Sequence, residues 1–130
     1  MINIVKNSIS RDEIQTLTNE RFGDMVKAVV DVARGAMAVG GEMHADEEAA
    51  LLADGSRQTD LWGINLYPAQ TGDAFIEFDS MINLRPSQNN RSRGANFAMK
   101  PYTPYSVYGN GWLIISVATP SCSSSTCRVE

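Results

Sequence analysis

Two carboxylates, Glu77 and Asp79, stand two residues apart in the run Ile76-Glu77-Phe78-Asp79-Ser80-Met81-Ile82-Asn83-Leu84-Arg85-Pro86. On a strand this spacing sends both side chains from one face, with Cα atoms about 6.5–7 Å apart. Such a pair can hold a divalent cation such as Mg²⁺ or Mn²⁺, or divide acid and base roles. The commoner role of an alternating acidic strand is a face that meets water. A restriction-type nuclease places a lysine two residues beyond a strand carboxylate; here Asp79 follows Glu77 at that distance, which weakens the nuclease reading. The run passes into Ser87-Gln88-Asn89-Asn90-Arg91-Ser92-Arg93-Gly94. There Arg85, Arg91 and Arg93, with Asn89, Asn90 and Ser92, offer donors for a phosphate or carboxylate. The competing role for these arginines is internal pairing with Glu77, Asp79 and the acids Asp46, Glu47 and Glu48.

His44, the only histidine, lies in His-Ala-Asp-Glu-Glu. It suits a general base or metal ligand whose tautomer Asp46 or Glu47 would fix, with Glu47 as the other candidate base. A lone histidine beside acids at a helix start is more often a partly exposed polar residue or cap. No Gly-x-Ser-x-Gly elbow presents a serine nucleophile, and no glycine loop of the Walker or Rossmann type is present. Gly40-Gly41 reads as a turn or bulge.

The elements that must position these groups follow from periodicity. Ile2, Ile4 and Ile9 suggest a short extended segment. Ser10-Arg11-Asp12-Glu13 is a capping box opening a helix to about Arg21. The β-branched runs Met25 to Ala33 and Ala36 to Glu42 read as two strands joined at Arg34-Gly35, although a second helix also fits the Ala and Met content. Asp46 to Ala53 reads as a short acidic helix stopped by Asp54-Gly55. Asp60 to Tyr67 is a strand with Trp62, Ile64 and Leu66 on one side. After the turn chemistry of 68–73, Phe75 to Leu84 is its return strand, with Ile76, Phe78, Ile82 and Leu84 inward. Asn65 and Asn83 then share a face with Glu77 and Asp79. Gly109-Asn110-Gly111 marks a C-terminal hairpin ending in the strand Trp112 to Ala118.

With 130 residues, 43% of them hydrophobic, the chain suits one domain with one core: 1–120 as an α+β unit, and 121–130 as a loose Ser-rich tail. The net charge of −4 argues against a general nucleic-acid or anionic-membrane binder. No acid occurs between Asp79 and Glu130, while Arg85, Arg91, Arg93, Lys100 and Arg128 all do, so a local basic site has a place. The N-terminal residues carry no signal-peptide pattern and no run reaches membrane-span length, so the expected location is the cytoplasm. Cys122 and Cys127 cannot complete a zinc site alone.

Gly40-Gly41-Glu42-Met43-His44-Ala45-Asp46-Glu47-Glu48, the segment from Asp60 to Pro68, and the strand and loop from Ile76 to Gly94 together resemble a small prokaryotic family, domain of unknown function 5674. The resemblance covers residues 1–94, implies a compact cytoplasmic α+β domain, and brings no activity. After Gly94, where the family is expected to continue into a charged amphipathic helix, this chain has an aromatic segment whose one charge before Arg128 is Lys100.

The expected fold is α+β: a mainly antiparallel sheet of four to six strands, a capped N-terminal helix on one face, and a short acidic helix. The other face carries Leu61, Tyr67, Phe75 and Met81 as a patch for a second subunit, so a homodimer is expected. The leading functional expectation is a non-catalytic ligand-binding or homo-oligomeric domain without a cofactor. The first alternative is a metal-assisted hydrolase of a phosphate-bearing substrate, with Glu77 and Asp79 as ligands and His44 or Glu47 as base. The second is a protein-docking module using the C-terminal hairpin.

Overall fold

The computed structural model describes residues 2–6, 8–70, 72–94, 105–107 and 112–115. Its strands are β1 (Asn3–Val5), β2 (Ser8–Ser10), β3 (Val26–Asp31), β4 (Ala36–Val39), β5 (Leu61–Leu66), β6 (Ile76–Glu77), β7 (Tyr105–Val107) and β8 (Trp112–Ile115). Its helices are α1 (Arg11–Glu20) and α2 (His44–Ala53). Five strands form an antiparallel sheet in the order β1-β4-β3-β5-β6, and β2-β8-β7 form a second, three-stranded antiparallel sheet. The α+β class, an antiparallel sheet within the expected four to six strands and the helix packed on it agree with the periodicity, whereas the second sheet, which pairs β2 with β8, does not follow from it.

Local chemistry accounts for most boundaries. Ser10 Oγ accepts the Glu13 N–H at 3.1 Å, the N-cap bond of the capping box read from the sequence, worth about 1 kcal/mol, and Glu13 Oε1 reaches back to the Ser10 hydroxyl at 3.3 Å. In the β3–β4 turn, Asp31 Oδ1 accepts the N–H groups of Ala33 and Arg34, both at 2.9 Å, bending the chain back so that Asp31 pairs with Ala36. The helical alternative for this segment is therefore not taken.

Alternation along β3, β4 and β5 divides the core in two. Val26, Ala28, Val30, Met37, Val39, Trp62, Ile64 and Leu66 pack with Ile14 of α1, Ile9 and Phe75 on one face. Val29, Ala36, Ala38 and Leu61 pack with Leu51 of α2 on the other. Both faces are thus covered, which is why the central strands read as nearly continuous apolar runs. The patch expected to seat a second subunit does not assemble: Leu61 lies under α2, Phe75 is in the first core, and Met81 is 62% exposed.

The return strand is shorter than its alternation implied. Pairing with β5 stops at Glu77, and 3₁₀ turns follow at Met81–Asn83 and Pro86–Gln88. Ser80 initiates the first by accepting the Ile82 N–H at 3.3 Å, and Pro86 opens the second without an N–H to offer a sheet. Ile82 consequently packs in the α2-side core instead of with Ile76 and Phe78, and Leu84 is exposed. The antiparallel pairing of β7 with β8 is the expected C-terminal hairpin; its Gly-Asn-Gly turn, Cys122, Cys127 and the tail lie outside the described residues. No helix among the described residues is long and apolar enough to cross a membrane.

Candidate functional site

Antiparallel register places Lys27 opposite Asn65 and Asn65 opposite Glu77, a polar row crossing one end of the sheet on the face that α2 covers. The first turn of α2 lies over it and contributes His44 and Glu47. Met43 caps α2 with no side-chain hydrogen bond.

His44 reaches the sheet because Gly63 has no side chain. A Cβ on Gly63 would stand 2.5 Å from Ser80 Cβ and 3.2 Å from His44 Cδ2. The His44 Nε2–H donates to Ile64 O at 2.8 Å; since a carbonyl only accepts, the proton belongs on Nε2. Burial lowers the His44 pKa below 6.5, opposed by the bond to Ile64 O. A backbone carbonyl, and not Asp46 or Glu47, sets the tautomer. Ser80, Asp79 and His44 share this region with separate partners: His44 Nε2 bonds Ile64 O, Asp79 bonds Arg93, and Ser80 Oγ accepts the Ile82 N–H.

Glu47 is fully buried. Its Oε2 accepts the Gly41 N–H at 3.1 Å, and Oε1 has no hydrogen-bond partner among the described residues. A Cβ on Gly41 would stand 2.8 Å from Glu47 Cγ, so the glycine makes room for the acid. Burial pushes the Glu47 pKa up to about 9, against the opposing effects of the Gly41 N–H and Lys27. At neutral pH it is a sealed carboxylic acid.

Glu77 stands at the outer strand of the sheet. Its Oε1 accepts Asn65 Nδ2–H and the Tyr67 hydroxyl, each at 2.9 Å, and among the described residues no lysine or arginine pairs with it. Burial first, and then the bond to Glu77, raises the Tyr67 pKa, keeping the phenol a donor. Tyr67, Gln70, Ala74, Ile76 and Glu77 line an open cleft of about 420 Å³. Asp79 instead pairs with Arg93, Oδ1 to Nε at 2.7 Å. The two carboxylates share a face yet have separate partners, and among the described residues no three His, Cys, Asp or Glu side chains are grouped to hold a metal.

The remaining loop residues serve the sheet edge that β6 leaves open. Asn83, fully buried, accepts the Gly63 N–H at 2.8 Å and donates to Gly63 O at 3.0 Å and Arg93 O at 2.8 Å, so one side-chain amide makes the two bonds a neighbouring strand would make. Arg85, 7% exposed, donates to Leu61 O and to Ile82 O at 2.9 Å, stacks 4.7 Å over the Trp62 ring, and lies 3.9 Å from Glu48. Asn90, also buried, donates to Asn83 O, Ser92 O and Gly94 O.

The fold therefore gathers His44, Asn65, Glu77, Asp79 and Arg93 at one end, with Glu47 sealed beneath. It places Arg85 and Asn90 in the loop's own framework, and leaves Arg91 exposed. Sequence reasoning missed Tyr67, Lys27 and Ser80 as parts of this region. The signal for Ser80 was Gly63, a glycine inside an apolar strand, which often marks a close approach. Tyr67 had one too: in a hairpin the residue diagonal to Glu77 is within reach of a long side chain.

A family model described as Protein of unknown function (DUF5674) matches residues 3–99, running past Gly94. No curated protein and no solved structure matches the chain. With most of its length inside that match, the chain belongs to the DUF5674 family.

Proposed function

We propose that this protein is a non-catalytic ligand-binding domain whose binding end is the cleft beside β6. The observation that carries this reading is the contrast between Glu77 and the other candidate groups. Glu47 is sealed, His44 is bonded through Nε2 to the backbone, Asp79 is paired with Arg93, and Arg85 is buried in the loop framework. Glu77 is held at Oε1 by two neutral donors and borders an open cleft. A fixed, solvent-accessible carboxylate held by two donors, with Asp79 and His44 each bonded elsewhere, suits recognition better than turnover. The hydrolase alternative needs Glu77 and Asp79 on one cation, and their separate partners count against it.

The test is a thermal-shift screen of the full chain against organic amines, Mg²⁺, Mn²⁺, phosphate, nucleotides and small carboxylates. A ligand at about a hundred times its Kd stabilises by roughly 2.7 kcal/mol, several degrees for a domain of this size. The reading requires a shift with at least one class; no shift with any class contradicts it. Self-association is a second part of the reading, motivated by the large hydrophobics exposed among the described residues, Phe22, Met43, Leu52, Met81 and Leu84. Sedimentation velocity measures it.

A further inference from the structure

The geometry points to an organic cation, an ammonium or guanidinium on an apolar stem, as the ligand of the cleft formed by Tyr67, Gln70, Ala74, Ile76 and Glu77. This rests on the ligand-binding reading above and assigns it a chemical class.

Four features of the cleft agree. Its acid is positioned before any ligand arrives: Asn65 and Tyr67 both grip Glu77 Oε1, which orients the carboxylate at little further entropic cost. Asn65 is itself 5% exposed and Tyr67 half-buried, so this support is anchored in the sheet. The acid has no internal cation among the described residues, although Asp79, two residues on, has Arg93. Three acids, Glu77, Asp79 and Asp24, act on the Tyr67 hydroxyl, while the neighbouring Arg11 guanidinium is already engaged by Pro68 O, Gln70 O and the Phe75 ring. Finally, the walls suit the rest of such a molecule: Ile76 and Ala74 offer apolar contact, the Tyr67 ring offers a face that attracts cations, and Gln70 offers amide hydrogen bonds. Among the described residues lining the cleft there is no basic side chain to meet an anion. Among the same residues a bare metal ion would find one carboxylate where it needs several oxygen ligands.

The cation could come from a free amine or from an Arg or Lys side chain of a peptide, and two probes distinguish them: agmatine and an acetylated, amidated Ala-Arg-Ala peptide. Isothermal titration of the full-length protein is made with each, for the wild type, Glu77→Gln, Tyr67→Leu and Glu20→Gln. Glu77→Gln keeps an oxygen for Asn65 and Tyr67 and removes only the charge. The proposal expects at least one probe to bind, with affinity lowered about tenfold or more in Glu77→Gln, a smaller loss in Tyr67→Leu, and no change in Glu20→Gln. Glu20 lies in a separate cleft between β1 and α1, lined also by Asn3, Glu13, Thr16 and Leu17. Binding by agmatine but not the peptide assigns the site to small amines; the reverse assigns it to a peptide side chain. Binding unchanged in Glu77→Gln, or lost in Glu20→Gln, overturns the proposal. No binding of either probe also overturns it, and in that case a thermal shift with phosphate or a carboxylate would leave the broader ligand-binding reading standing.

Discussion

Replacing Asn83 with alanine should unpair both backbone groups of Gly63 and remove one of the two donors to Arg93 O, which keeps the Ser80 N–H at 2.9 Å. In the native protein the Asn83 amide bonds Gly63 N–H, Gly63 O and Arg93 O at 2.8, 3.0 and 2.8 Å, and the side chain is fully buried. Each bond contributes about 0.5–1.5 kcal/mol net, and a buried group left without a partner costs about 1–3 kcal/mol. Water entering the space of the lost amide offsets part of that cost, so the sum is about 3–5 kcal/mol. With a urea m-value of about 1–3 kcal/mol per molar, the unfolding midpoint should fall by roughly 2 M. Hydrogen exchange supplies the residue-specific reading. Because Gly63 points its N–H away from β3, its protection depends on Asn83 alone, and Asn83→Ala should abolish it while the Ile64 and Trp62 amides stay protected. A loss under about 1 kcal/mol, or a Gly63 amide still protected in the variant, would refute the idea that a side chain substitutes for a strand at this edge.

Other consequences follow from the buried groups. Folded Glu47 keeps a proton up to about pH 9 that the unfolded chain releases near 4.5, so its contribution to stability is complete at low pH and declines as pH rises between those values. The slope is at most about 1.4 kcal/mol per pH unit. Chemical denaturation from pH 5 to 9 should show this decline in the wild type and a flatter profile in Glu47→Gln; equal slopes would refute it. The single histidine should titrate below 6.5 by NMR with the proton on Nε2 when neutral, and a midpoint at or above 6.5 would contradict its burial against the sheet. Gly63→Ala should cost about 1–3 kcal/mol or more, since its Cβ would meet Ser80 Cβ at 2.5 Å, and Ser80→Gly in the same chain should restore much of the loss in urea unfolding.

The parts of the fold that were legible in the sequence were those set by local periodicity and capping. Ser10 and Glu13 announced α1, and alternation from Leu61 to Leu66 assigned each residue of β5 to the correct face. The return strand misled because Met81, Ile82 and Leu84 continue a period of two, yet Ser80 and Pro86 divert the backbone into 3₁₀ turns, and the edge is completed by Asn83 and Arg85 side chains. No pattern of residue types distinguishes an asparagine that replaces a strand from one that faces water; only the register of β5 with its neighbour does. The candidate site was half visible. Glu77 opposite Asn65 follows from the hairpin, and the pairing of Asp79 with Arg93 was the internal role weighed for that arginine. The sealing of Glu47 depends on α2 beginning at His44, which turns that acid down towards Gly41, a rotation that an eight-residue acidic run does not specify.

The division between framework groups and one outward-facing acid is tested most directly by Glu77→Gln, with urea stability and the thermal shift from agmatine measured on the same preparation. The structure predicts stability within about 1 kcal/mol of wild type, because the amide oxygen still accepts from Asn65 and Tyr67, together with loss of the ligand shift. A large fall in stability with the ligand shift intact would place Glu77 in the framework and contradict the account.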